Sequence, residues 1–275
     1  MRVRARGLTF DVAVAGPADG VPVLLLHGFP QDHREFDQLL PRLHAAGLRT
    51  YAPDQRGYSP GARPVDTARY VLTEPQADAV ALLDELGLGS VHVVGHDWGA
   101  QVAWRLAAEQ PDRVRTLTAI SLPHPRALTT ALKNDVGQRI RLGYVPLLRT
   151  TRAGDLLLAG DGRAIRLMMR RLGPAADQYV TALREPGRLS GALAWYRALT
   201  AGRVPRIGSV AVPTTYIWGT KDPAVGRRAA LGTRDWVHGP YRFLPLPGVG
   251  HWAPEEAPDD VATAVLDRIG APTQH

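Results

Sequence analysis

Asp97 sits at the centre of VVGHDWGAQ (93–101), between the apolar run VHVVGH and the helix-patterned WGAQVAWRLAAEQ. Gly95 and Gly99 flank it at the two positions where a Cβ would crowd a tight strand-to-helix turn. Such a turn lifts the central side chain out of the sheet and aims it at the following helix N-terminus, whose dipole favours an anion. A helix-capping aspartate is the plainer reading of this pattern, and other residues decide between the two. Asp222, in IWGTKDPAV, and His251, in PGVGHWAPEE, each follow a predicted strand late in the chain. Together the three stand in the chain order nucleophile, acid, histidine. His27-Gly28-Phe29-Pro30 follows another apolar run, VPVLLL, where a turn would bring the backbone N–H of Phe29 beside the nucleophile. With the N–H of Trp98 it would form an oxyanion hole. Pro30 stiffens that turn, through a cis bond or otherwise.

A carboxylate in the place of a nucleophilic hydroxyl points to particular chemistry. Attack on an ester would give an anhydride less stable than the substrate. Attack on a saturated carbon gives an alkyl ester of the enzyme, which water then opens at the aspartate carbonyl. A neutral His251, oriented by Asp222, is the base for that water, so activity is expected to fall as pH drops through its pKa.

The elements that position these residues follow from periodicity. Strands are expected at 8–15, 21–27, 49–54, 91–96 and 114–121, with helices at 34–46, 74–87 and 98–109 between them. Strands apolar on both faces, alternating with helices, indicate a doubly wound, mostly parallel sheet. The alternation stops over roughly 126–208 and returns as a strand at 214–219, a helix at 225–236, a strand at 241–246 and a helix at 259–269. One α/β domain, 1–125 plus 209–275, is therefore interrupted after about its sixth strand by a helical lid, 126–208. Open α/β sheets bind ligands at the carboxyl ends of their strands, where this lid would lie.

Composition narrows the function further. Cysteine is absent from the 275 residues, which removes disulfides, thiolate metal ligands and a thiol nucleophile. The histidines are scattered without metal-ligand spacing, and DQRGYSPG (54–61) lacks the phosphate-loop pattern, so no cofactor or metal is called for. Arg56 in that loop reads as a structural anchor. The basic N-terminus lacks the apolar core of a secretory signal, and the run 21–26 is too short to span a bilayer, so a cytoplasmic location without membrane contact is expected. The formal charge of +7 is concentrated between Arg126 and Arg206, where fifteen basic residues face five acidic ones. Few aromatics interleave with them, which argues against nucleic acid and for a solvated helical surface or a basic cap over an anionic ligand.

HGFP (27–30), DQRGYS (54–59), GHDWGA (95–100), WGTKD (218–222) and GVGHW (248–252) resemble the α/β-hydrolases of the epoxide hydrolase type, over nearly the whole chain. The resemblance implies the α/β-hydrolase fold and a small-molecule epoxide as substrate, with a homodimer possible for the family. It implies that Asp97 opens the epoxide and that two lid tyrosines supply the proton to the ring oxygen. WYRAL (195–199) matches the family's Trp-Tyr-Arg segment and assigns Tyr196. Tyr144, in QRIRLGYVPLLRTT, is the best match for the other tyrosine, although the Phe-Gln-x-Pro pattern that usually follows is replaced by LLRTTRAG. His27, Pro30 and Trp195 are the substrate-contacting positions carried over.

Other activities share the fold. Haloalkane dehalogenases use the same aspartate and a tryptophan after it, which Trp98 fits, but some carry Asn or Glu where Phe29 stands. Fluoroacetate dehalogenases place arginines where Trp98 and Gln101 stand. The lid tyrosines favour epoxide over halide. A non-catalytic receptor of the same fold often lacks a triad member, and here all three residue types are present.

Overall fold

A computed structural model describes residues 1–199 and 206–270. The strands are β1 (Arg2–Ala5), β2 (Leu8–Ala15), β3 (Val21–Leu26), β4 (Leu48–Pro53), β5 (Val91–His96), β6 (Val114–Ile120), β7 (Thr214–Gly219) and β8 (Tyr241–Leu246). They form one sheet in the order β1-β2-β4-β3-β5-β6-β7-β8. From β4 to β8 all pairings are parallel, while β1 and β2 add an antiparallel edge. Three helices of the first half are α1 (Leu40–Ala45), α2 (Thr73–Glu85) and α3 (Trp98–Glu109). Between β6 and β7 run α4 (Pro125–Asn134), α5 (Val136–Arg141), α6 (Val145–Leu148), α7 (Ala153–Met168), α8 (Ala176–Leu183) and α9 (Arg188–Ala198). The chain closes with α10 (Arg227–Leu231), α11 (Ala253–Glu256) and α12 (Pro258–Gly270).

The period-2 alternation of the central strands divides the core into two layers. Leu24, Leu26, Val93, Leu117 and Tyr216 face α2 and α3. Val23, Leu25, Val94, Ile120 and Ile217 face α1 and α12. Burial on both faces explains why β5 and β7 contain no exposed position at all.

Three elements differ from expectation. The helix expected over 34–46 is a 3-10 turn (His33–Phe36) followed by α1, which starts at the point where Pro41 suits a helix's first turn but not its interior. The helix expected over 225–236 is α10 followed by a 3-10 turn, Gly232–Trp236. β1 escapes periodicity because it has four residues, two of them exposed arginines on a sheet edge.

The inserted helices are not uniform. α4 packs back on α10 and the Gly232–Trp236 turn. α7 is broken at Ala159–Gly162, where Gly160, Asp161 and Gly162 all have positive φ. Residues 200–205 of the expected lid lie outside the described residues. Among the described residues, no helix is long and apolar enough to cross a membrane.

Candidate active site

The turn between β5 and α3 places Asp97 in a strained backbone conformation, φ +49° and ψ −119°. It is tolerated because its neighbours leave room. A Cβ on Gly99 would collide with the carbonyl of Leu26, and one on Gly28 with the Asp97 side chain itself. The β3–β5 pairing therefore presses the Gly28–Phe29 backbone against the aspartate. The Phe29 N–H donates to Asp97 Oδ1 at 3.0 Å, and the Phe29–Pro30 peptide is cis. Trp98 opens α3, so its own N–H belongs to the first turn, which has no intrahelical acceptor.

His251 and Asp222 come to the same point from the loops after β8 and β7. His251 Nε2 lies 3.3 Å from Asp97 Oδ2, and its Nδ1 lies 2.8 Å from Asp222 Oδ2. Asp222 is aimed by its other oxygen, which accepts from the N–H groups of Ala224 (2.7 Å) and Val225 (3.0 Å). The turn suggested by Lys-Asp-Pro is real, and it is the device that orients the acid. All three residues are buried. Burial works to lower the His251 pKa, but the Asp222 and Asp97 carboxylates outweigh it and push it up to about 10. Burial likewise works to raise Asp97, and His251 more than offsets it, leaving the carboxyl below its usual range. The two carboxylates therefore favour a proton on the imidazole for as long as both are ionised.

A cavity of about 420 Å3 opens over this triad. Both tyrosines line it together with Asp97, His251 and Phe29. The Tyr196 ring meets Phe29 edge-on at 5.3 Å and Trp98 at 5.1 Å between centroids. Burial, then the Asp97 charge, raise its phenol pKa, so it is neutral and able to donate. Tyr144 keeps 42% of its surface exposed, yet it lines the same cavity as Asp97 and His251, and desolvation, then the charges of Asp97 and Asp222, raise its phenol pKa too. The remaining wall is largely apolar, with Leu148, Leu157, Met168 and Trp252.

The structure does not bring the other substrate-contacting positions to this wall. His27 is turned the opposite way: its Nε2 accepts from the Gln55 N–H (3.0 Å), its Nδ1 bonds the Gly28 carbonyl (2.9 Å), and its ring abuts Tyr58. It holds the turn together, and burial keeps it neutral. Pro30 shapes the turn without lining the cavity, because Phe29 fills that side. Trp195 donates its indole N–H to the Arg56 carbonyl (2.8 Å) and faces a different cavity. Successive residues of α9 point about 100° apart, so Tyr196 and Trp195 cannot both face the triad. Arg56 itself is buried and forms two 2.6 Å bonds to Asp78, which bears out its reading as an anchor.

Residues that the motifs did not single out support the triad. His96 Nε2 and Ser121 Oγ both donate to the His251 carbonyl, at 2.9 and 2.6 Å. His96 Nδ1 in turn lies 3.1 Å from the fully buried Glu35. Burial raises Glu35, and against burial Glu35 raises His96, so the two groups support each other's titration behind His251. His96 was visible within GHDWGA, whereas nothing local marks Glu35. From α5, Arg141 donates to the Asp222 carbonyl at 2.9 Å. Asp32, His33 and Asp54 lie close enough to hold a cation. Arg188 and Arg34 already occupy Asp32 at 2.6 Å each, and His33 bonds Asp54 at 2.7 Å. That cluster is an ion-pair network.

Comparison with known proteins agrees with this geometry. The pattern of the family described as alpha/beta hydrolase fold matches residues 21–258. Epoxide hydrolase A of Mycobacterium tuberculosis is 31% identical, over 96% of this chain and 95% of its own. The AB hydrolase superfamily protein YfhM of Bacillus subtilis is 32% identical, over 97% and 96%. Among solved structures, one from work on novel epoxide hydrolases in metagenomes from hot environments superposes with a TM-score of 0.87 at 30% identity. It covers 99% of this chain and 98% of its own.

Proposed function

We propose how this chain, which belongs to the α/β-hydrolase family and to its epoxide hydrolase type, opens an epoxide and releases a vicinal diol. Asp97 Oδ2, the oxygen not held by Phe29, attacks a ring carbon. The C–O bond of the epoxide breaks, and its electron pair goes to the ring oxygen, which takes a proton from Tyr196 or Tyr144. The product of this step is an alkyl ester of Asp97. Water then adds to the ester carbonyl, giving its proton to His251 Nε2. The oxyanion forms on Oδ1 against the N–H groups of Phe29 and Trp98. The proton that leaves His251 as the ester forms restores the tyrosine. Collapse of the adduct breaks its Cγ–Oδ2 bond, the hydroxyl that water left on Cγ gives its proton to the departing diol oxygen, and the carboxylate is restored beside the His251 that took water's other proton.

The observation that carries this order of events is the position of His251, whose Nε2 lies 3.3 Å from Asp97 Oδ2 while Asp222 holds its Nδ1 at 2.8 Å. Against burial, the two carboxylates raise its pKa. Alkylation removes one of them, so forming the ester itself lowers the histidine pKa and frees the base when water needs it. Loss of activity in acid then belongs to the hydrolytic step, because Asp97 stays ionised below the usual carboxylate range.

The cavity volume and its apolar wall suit an epoxide with an apolar substituent. The two tyrosine hydroxyls on this cavity suit the oxygen of an opening epoxide better than a departing halide. We place the enzyme in the cytoplasm, a reading with which its lack of cysteine is compatible. The test is intact-protein mass spectrometry of His251→Ala after incubation with a panel of epoxides and haloalkanes. The expected result is a mass gain equal to a whole epoxide. A gain equal to a haloalkane less its hydrogen halide would overturn the reading.

A further inference from the structure

The catalytic cavity carries two cations that the reaction does not use. Arg141, the last residue of α5, and Arg170, which follows α7, both line it, and both are exposed. Its other charged side chains are Asp97 and His251, which are buried and lie 3.3 Å apart. Neither arginine meets a carboxylate. Arg141 uses one nitrogen on the carbonyls of Asp222 (2.9 Å) and Pro223 (3.4 Å), which orient it without neutralising it. Arg170 makes no hydrogen bond or ion pair among the described residues.

Neighbouring arginines of the inserted helices behave otherwise. Arg171 pairs with Glu256, Arg166 with Asp177 at 2.6 Å and Arg184 with Asp161 at 2.7 Å, and none of these three lines the cavity. An unpaired arginine in open water is ordinary, as Arg163 in α7 shows. On a cavity wall the case differs, because a ligand that fills the cavity displaces water from the guanidinium and must replace its hydrogen bonds. The rest of the wall is largely apolar, with Leu147, Leu157, Leu167 and Met168. A neutral apolar ligand would satisfy these side chains and leave both arginines unanswered.

We propose that the preferred substrate is an epoxide whose far end carries a carboxylate. The ring lies at Asp97 under the two tyrosines, an apolar chain covers the leucines, and the carboxylate is held by Arg141 and Arg170 at the exposed edge. Arginine suits that task because its planar fork gives a carboxylate two parallel N–H donors. The inference rests on the epoxide-opening reading for the place of the ring, and it assigns the end of the molecule that the chemistry leaves untouched.

Turnover of 10,11-epoxyundecanoate by the full chain is compared with that of 10,11-epoxyundecanamide, its neutral isostere. The expected kcat/KM is about tenfold higher for the acid, mainly through KM. The combined variant Arg141→Gln, Arg170→Gln should lose this preference, and Arg170→Glu should reverse it. Loss of Arg141 also disturbs the Asp222 loop, so the ratio of the two substrates is read, with the amide reporting that disturbance. Arg163→Gln, whose side chain does not line the cavity, should keep the parent's ratio. Equal turnover of acid and amide by the parent, a ratio kept in the combined variant, or one lost equally in Arg163→Gln would overturn the proposal. Calorimetric titration of undecanoate, which has no ring to open, keeps the two readings apart. It should bind the parent about tenfold more tightly than the combined variant. Turnover of neither epoxide would count against the catalytic reading, and this titration would then decide on the arginines alone; equal binding to parent and variant would overturn their role.

Discussion

The two tyrosines over Asp97 stand on unlike supports. Tyr196 belongs to α9, almost wholly buried, and α9 and the preceding loop are clamped to the core. Arg188 reaches Asp32 at 2.6 Å, Arg63 reaches Glu185 at 2.8 Å, and the backbones of Gly191 and Gly57 touch so closely that neither has room for a Cβ. In α8, the neighbouring helix, Tyr179 bonds Glu255 at 2.8 Å. Tyr144, by contrast, caps the single turn of α6, between α5 and the broken α7. That region holds most of the large exposed apolar side chains among the described residues, including Val136, Ile140, Leu147, Leu156 and Leu167. Leu147 and Leu167 also line the catalytic cavity. One wall of the site is therefore set in place by packing, while the other has few buried contacts and borders solvent, as an entrance for substrate requires. The charge pattern agrees: buried ion pairs hold the first wall, and those of α7 are exposed.

The largest effect should separate the tyrosines themselves. Tyr196→Phe should slow ester formation by about 10²–10⁴, or about 3–5 kcal/mol, as removal of a positioned acid does. Tyr144→Phe should slow it by only about tenfold, because its position is less constrained. Single-turnover stopped-flow fluorescence measures both, and a reversed ranking would break the comparison.

Next comes the clamp. Arg188→Met leaves Asp32 with Arg34 alone in a buried site and should destabilise the fold by about 3 kcal/mol. Arg166→Met, whose partner Asp177 is exposed, should leave the unfolding midpoint nearly unchanged. Urea unfolding of the two variants side by side decides it, and equal costs would show that the walls are held alike.

The α8 contact should be sensitive to pH. Burial, then the charge of Glu35, hold Glu255 up to about 7, well above an unfolded carboxyl. The folded protein therefore keeps a proton that the unfolded chain releases, so this contribution is present in acid and is lost as pH rises towards and through 7. Glu255→Gln should accordingly gain stability relative to the parent as pH rises from 5 to 8, by about 2 kcal/mol. Parallel urea midpoints across that range check the sign; a difference that shrinks with pH would show Glu255 to be ionised and paired instead.

The smallest effect is expected at the entrance. Leu167→Ser should change stability by under about 0.5 kcal/mol, since the side chain is exposed. It should still raise KM for an apolar epoxide a fewfold, about 1 kcal/mol at most. Unfolding and KM measured on one preparation separate the two. A stability loss above about 1 kcal/mol would mean that α7 is held as firmly as α9.

What the sequence determined by itself was local. Gly95-x-Asp97-x-Gly99 dictates a turn that only a crowded backbone needs, and Lys221-Asp222-Pro223 dictates another. The both-face apolar strands dictate a buried parallel sheet, whose carboxyl ends hold the loops that carry Asp97, Asp222 and His251. Each depends on interactions within a few residues, or on a period that any reader of the chain can count. Tertiary structure decided the rest. The facing of Trp195 away from the triad follows from how α9 packs on the loop after β4, and His27 turns away because Gln55 offers it a donor 28 residues on. The Glu35–His96 pair behind His251 joins residues 61 apart, and Arg141 meets the Asp222 carbonyl across 81. The raised pKa of His251 belongs to the same class, because its cause is the sum of two charges against a desolvation, and these exist only once the chain has folded.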